Sequence, residues 1–75
     1  MATFQLRDMS GALLTEKRNI GRLILWLKEN GYFEKNPDTK LSVTELFTSK
    51  FEMIITANTT SQDIEEAWNM FNMQM

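Results

Sequence analysis

The strongest constraint on folding in this chain of 75 residues is the apolar segment at residues 19–30, NIGRLILWLKEN. Its apolar residues recur every three or four positions, which predicts one face of a helix. That face holds Ile20, Leu23, Ile24 and Leu27. Gly31 follows Asn30, and this pair is typical of a left-handed C-terminal cap. We therefore predict a first helix over residues 12–30, with Leu13 on the same face.

A local signal for a second helix lies at residues 42–45, where Ser42-Val43-Thr44-Glu45 matches the S-x-x-E capping box. The apolar residues that follow keep helical spacing, so we predict a second helix over residues 43–57. The alternative is a strand at residues 51–57, FEMIITA, because β-branched residues favour strands. Its natural partner would be residues 3–7, giving an α+β fold with a short two-stranded sheet.

The most regular apolar spacing lies near the C-terminus, in Ile64, Ala67, Trp68 and Phe71. Asp63 and two glutamates place negative charge near the start of this segment, where the helix dipole favours it. We predict a third helix over residues 61–73. Three helices with short connections indicate an all-α three-helix bundle.

Length and composition restrict the classes of protein that this sequence can represent. We expect a single domain over residues 1–75, with residues 1–11 as an extended arm. The sequence has no Cys and no His, so we expect no disulfide, no metal site and no cofactor. We recognise no signal peptide, and the apolar runs are too short to span a membrane. These features predict a cytoplasmic protein without a membrane partner.

Catalytic signatures are missing from the sequence. Its three glycines, ten positions apart, form no phosphate-binding loop, and adjacent carboxylates such as Glu65 and Glu66 are explained by the helix dipole. A nucleophile, a base and an oxyanion site cannot be assigned together. We expect that the protein is not an enzyme.

Two groups of residues are candidates for binding a partner. The first lies on the first helix, opposite its apolar face, and consists of Arg18, Arg22, Leu25, Trp26 and Glu29. Arg and Trp are enriched in protein interfaces. The second group is Met70 and Met73, whose flexible side chains suit adaptable surfaces. The alternative interpretation is structural: Leu25 and Trp26 complete a helix buried on two sides, and the methionines fill core gaps or belong to a frayed end.

Charge is distributed unevenly along the chain. Residues 1–40 carry +2 and residues 41–75 carry −4, for a total of −2. Such polarity can steer a charged partner or favour head-to-tail self-association. We therefore predict a protein-binding module that recognises another protein or a second copy of itself, and its composition is compatible with a phage or mobile-element origin.

The alternative function is nucleic-acid binding by a helix-turn-helix built from the second and third helices. Lys50 is the only cation in those two segments. Phosphate contacts require cations, so binding of DNA or RNA is the weaker hypothesis.

Overall fold

Two strands with alternating buried and partly buried side chains lie in the middle of a sheet. In the computed structural model, which describes residues 2–73, Phe4 and Leu6 of one strand and Leu41 and Val43 of another are fully buried. In order, the elements are β1 (Phe4–Arg7), β2 (Leu13–Lys17), α1 (Ile20–Asn30), α2 (Tyr32–Lys35), β3 (Leu41–Glu45), β4 (Glu52–Ile55) and α3 (Ser61–Met73). The strands form one antiparallel sheet in the order β2-β1-β3-β4.

The all-α prediction is wrong, and the α+β alternative is confirmed. Strands occur within both segments of that alternative, at β1 and β4, but they do not pair with each other. Instead, β3 lies between them, and β1 also pairs with β2 on its other side. The predicted arm at residues 1–11 therefore contains an inner strand of the sheet.

The first predicted helix is too long because its N-terminal part is strand β2. Asp8 organises the hairpin that joins β1 to β2: its carboxylate accepts hydrogen bonds from the backbone N–H groups of Ser10 and Ala12, at 2.9 and 3.0 Å. Gly11 has φ +86°, a conformation that favours glycine. Helix α1 begins only after Asn19, whose side chain accepts a hydrogen bond of 2.7 Å from the backbone N–H of Arg22.

The predicted second helix is absent because residues 43–57 contribute to a hairpin of β3 and β4. Leu41, Val43 and Glu45 alternate inward with the period of a strand. The capping-box glutamate serves a different turn: the carboxylate of Glu45 accepts hydrogen bonds from the backbone N–H groups of Phe47 and Thr48 and from the Thr48 hydroxyl. These bonds stabilise the start of the β3–β4 connection rather than a helix N-terminus.

The helices cover one face of the sheet. Ile20 and Leu23 of α1 and Ile64 and Phe71 of α3 belong to the same buried cluster as the inward residues of β1 and β3. Phe4 joins the two layers, with its ring centroid 5.4 Å from Phe51 and 5.5 Å from Trp68 in edge-on contacts. The predicted third helix is confirmed with its bounds, Ser61–Met73.

A matched pair of leucines on α1 tests this packing. Leu23 is fully buried and Leu25 is 55% exposed. We expect Leu23→Ala to lower the free energy of unfolding by about 2–5 kcal/mol, through lost burial and a residual cavity. Leu25→Ala should change it by less than about 0.5 kcal/mol, as at other surface sites. Urea denaturation measures both, and equal losses would contradict the assignment of the two faces of α1.

The pKa of Glu45 predicts a pH effect on stability. The hydrogen bond from the Thr48 hydroxyl, with those from backbone N–H groups, lowers this pKa below its ordinary value of 4.5 although burial opposes the shift. A lowered pKa stabilises the fold at pH values above the unfolded-state pKa, and this contribution is lost as the pH falls through the folded-state pKa. We expect Glu45→Gln to weaken the acid sensitivity of the unfolding free energy, measured by urea denaturation between neutral pH and about pH 3.

Asp8 requires a control in that experiment. Its pKa is also lowered, mainly by the hydrogen bond from the Ser10 hydroxyl. Asp8→Asn should therefore remove a separate part of the acid sensitivity and leave the part due to Glu45. Identical pH profiles for the wild type and Glu45→Gln would show that the Glu45 bonds do not contribute.

Candidate functional site

Helix α1 has two faces of different character. Ile20 and Leu23 are buried, and Ile24 and Leu27 pack partly against the same core. With about 100° between successive residues, the positions opposite this face are those of Arg22, Leu25, Trp26 and Glu29. The helix therefore turns a mixed basic and apolar surface away from the core.

This outer surface is concave rather than flat. Together with the last residue of β2, it encloses a shallow depression of about 160 Å³. The depression is lined by Lys17, Arg22, Leu25, Trp26 and Glu29, a set that we call the α1 flank. Four of the five residues predicted on the first helix are thus brought together. The fifth, Arg18, is exposed in the short connection between β2 and α1.

Lys17 is the residue that sequence reasoning missed. The predicted helix over residues 12–30 placed it among polar residues of the first turns. In the structure Lys17 ends β2, opposite Phe4 of β1, and this pairing brings it beside α1. Only recognition of the β1–β2 hairpin could have identified it.

The two large apolar residues of the α1 flank differ in burial. Trp26 is half-buried and packs partly against the core. Part of its side chain therefore contributes to the core, as expected from the alternative in which Trp26 completes a buried helix. Leu25 is 55% exposed and does not belong to the side chains that pack against the core. The depression therefore has a fixed aromatic wall beside an accessible aliphatic side chain.

Met70 and Met73 lie elsewhere, on α3. They are 62% and 86% exposed, so neither fills a gap in the core. Met70 lines a second groove of about 180 Å³ with Ala67 and with Glu52 of β4. Lys50, Phe51 and Phe71 complete this groove. The structure therefore separates the methionines from the α1 flank.

The side of α3 that carries Met70 is acidic. Asp63, Glu66, Ala67 and Met70 follow the i, i+3, i+4, i+7 spacing that places residues on one side of a helix. Glu52 adds a carboxylate from β4, whereas Lys50 is a cation in the same lining. We call Glu52, Asp63, Glu66, Ala67 and Met70 the α3 flank.

A cleft of about 380 Å³ was not predicted. It lies between the β3–β4 connection and α3, with Phe47, Trp68 and Phe71 as apolar walls and Ala2, Glu45, Thr48, Lys50 and Asn72 completing the lining. Phe47 is exposed here, although the sequence pattern placed it on the buried face of a helix. The carboxylate of Glu45 already accepts hydrogen bonds within the turn, so Lys50 and Asn72 supply the other polar side chains of this cleft besides Thr48.

Residues 2–73 contain no group of three or more Cys, His, Asp or Glu side chains arranged to hold a metal ion. None of the helices described there combines the length and the apolar character that crossing a membrane requires. Comparison with protein-family models, with curated proteins and with solved structures finds no significant match.

The intermediate burial of Trp26 predicts an intermediate cost for its removal. We expect Trp26→Ala to lower the free energy of unfolding by about 1–3 kcal/mol, less than truncation of a fully buried aromatic residue. Chemical denaturation followed by circular dichroism measures this. A change below about 0.5 kcal/mol would show that the indole contributes nothing to the core. Because this variant changes both stability and surface, Leu25 is the better probe of binding.

Proposed function

We propose that this protein is a non-enzymatic binding module whose partner is another protein chain that docks on the α1 flank. The supporting observation is the depression in which exposed Leu25 lies beside half-buried Trp26, next to the cations Lys17 and Arg22. Arg18, exposed in the connection that precedes α1, adds a third positive charge to this part of the chain. This combination fits an apolar side chain that is flanked by acidic groups.

The energetics favour such a surface as an interface centre. Trp and Arg side chains dominate many protein interfaces because they bury large areas and pair with charged groups. Partial packing of Trp26 against the core limits its motion before binding, so less conformational entropy is lost when a partner docks. Glu29 places a negative charge in the same depression. This favours a partner that carries both acidic and basic groups over a uniformly acidic one.

The backbone beneath the site is also fixed before binding. Asn19 caps the start of α1, and Gly31 ends it in the left-handed conformation with φ +52°. Buried Leu23 anchors the opposite face of the helix. A binding surface on a capped and packed helix requires little rearrangement when the partner arrives.

The nucleic-acid alternative loses its structural basis. It depended on a helix over residues 43–57 joined to the helix at residues 61–73, and the first of these segments contains strands β3 and β4 instead. We retain protein binding, with a cytoplasmic site of action and a phage or mobile-element origin as parts of the same hypothesis.

Affinity capture with a matched pair of leucine variants tests this proposal. Leu25 and Leu13 are 55% and 47% exposed, and Leu13 lies on β2 outside the α1 flank. With the tagged protein as bait in extracts of its own cells, Leu25→Asp should reduce capture of the partner at least about tenfold, which corresponds to about 1.4 kcal/mol of binding free energy. Leu13→Asp should leave capture unchanged. Equal capture by the wild type and Leu25→Asp would exclude the α1 flank as the binding surface.

A further inference from the structure

The two flanks lie at opposite edges of the sheet. The strand order β2-β1-β3-β4 leaves one side of β2 and one side of β4 without a neighbouring strand in the described part of the chain. Lys17 of the α1 flank ends β2, and Glu52 of the α3 flank begins β4. Unpaired edges present backbone N–H and C=O groups that can bind a further strand.

The strand directions allow the sheet to continue from one copy to the next. Because β2 and β3 both run antiparallel to β1, and β4 runs antiparallel to β3, β4 is also antiparallel to β2. A second copy can be displaced sideways, across the strands, until its β2 lies beside β4 of the first copy. In this position the two strands are antiparallel. The register irregularity between Leu6 and Arg7 disturbs the start of β2, so regular pairing is confined to Thr15–Lys17.

The same shift brings the two helical flanks together. Both helices pack on one face of the sheet, and the α1 flank points away from the side of α1 that shares a groove with α3. That shared groove includes Ile24, Leu27 and Lys28 of α1 and Ser61 and Ile64 of α3. The outer side of α3 in one copy would therefore face the outer side of α1 in the next.

The charges of the two flanks are complementary. Lys17 and Arg22 line the α1 depression, and Arg18 is exposed just before α1. Glu52 lines the α3 groove, and helical spacing places Asp63 and Glu66 on the same side of α3 as Met70. Charges of the opposite sign are fewer on each side, with Glu16 and Glu29 near the first and Lys50 near the second. The apolar groups also correspond, since exposed Met70 can occupy the depression at Leu25 and Trp26.

We propose that the partner of the α1 flank is the α3 flank of a second copy of this chain, so that copies associate head to tail. This inference rests on the proposed function and names its partner. The contact is heterologous, because each copy uses two different surfaces. Pairing of two α1 flanks or two α3 flanks would instead bring like charges together, which is unfavourable.

Two charge-reversal variants and their mixture test the head-to-tail contact. Arg22→Glu alters only the α1 flank, and Glu66→Lys alters only the α3 flank. The matched controls are Lys35→Glu and Glu34→Lys, which make the same charge changes on exposed residues of α2. Sedimentation velocity from micromolar to millimolar protein, at about 0.05 M and about 0.5 M NaCl, measures the mass of each species.

We expect the wild type and both controls to form dimers and longer chains as concentration rises, with weaker association at high salt. Each flank variant alone should remain monomeric, because every contact would include one altered side. A mixture of the two variants should associate again, because the intact α3 flank of Arg22→Glu can bind the intact α1 flank of Glu66→Lys.

Three results would overturn the proposal. A monomeric wild type at every concentration would exclude self-association, while capture of a different protein that is lost in Leu25→Asp would still support the α1 flank as a binding site. Loss of association in Arg22→Glu but not in Glu66→Lys would show that the α1 flank binds something other than the α3 flank. A mixture that remains monomeric would exclude a heterologous contact.

Discussion

The packing around Phe4 determines the arrangement of this small domain. Phe4 is fully buried on an inner strand, and its ring lies edge-on to those of Phe51 and Trp68. Phe71 extends this aromatic group, with its centroid 5.5 Å from that of Phe51. These contacts join β1 to α3 across almost the whole length of the sequence. A chain without disulfides depends on such long-range burial for its stability.

The position of β1 also decides which surfaces remain available. With β1 and β3 in the middle, β2 and β4 become the edges of the sheet, and α1 and α3 cover one face. The basic and apolar surface of α1 then lies at one edge, and the acidic surface of α3 lies at the other. The more basic first half of the sequence therefore provides the α1 flank, and the more acidic second half provides the α3 flank. This separation is the physical basis for the proposed head-to-tail contact.

Local signals predicted those parts of the fold that depend on neighbouring residues. Helix α3 follows from its apolar spacing, and the C-terminal end of α1 follows from Asn30 and Gly31. Strand β3 was missed because it pairs with β1, which lies far away in the sequence. Strand β2 was missed because residues 13–17 were assigned to the first helix, although they pair with β1 through a short hairpin. The S-x-x-E pattern at Ser42 was misleading, since Glu45 accepts hydrogen bonds from a turn that follows a strand. Helix spacing likewise predicted only part of the candidate site. It placed four residues on one helix face, Arg22, Leu25, Trp26 and Glu29. Lys17 joins them only through the β1–β2 hairpin.

Amide hydrogen exchange across a concentration series tests the central claim most directly, because it reports on both flanks in one sample. We predict that raising the protein concentration slows exchange in two places, at Thr15–Lys17 with the exposed side of α1 and at β4 with the adjacent side of α3. Amides of α2, which lies outside both flanks and exchanges by local opening, should show no such dependence. Exchange that is independent of concentration at both flanks, or protection at only one of them, would contradict head-to-tail association through these surfaces.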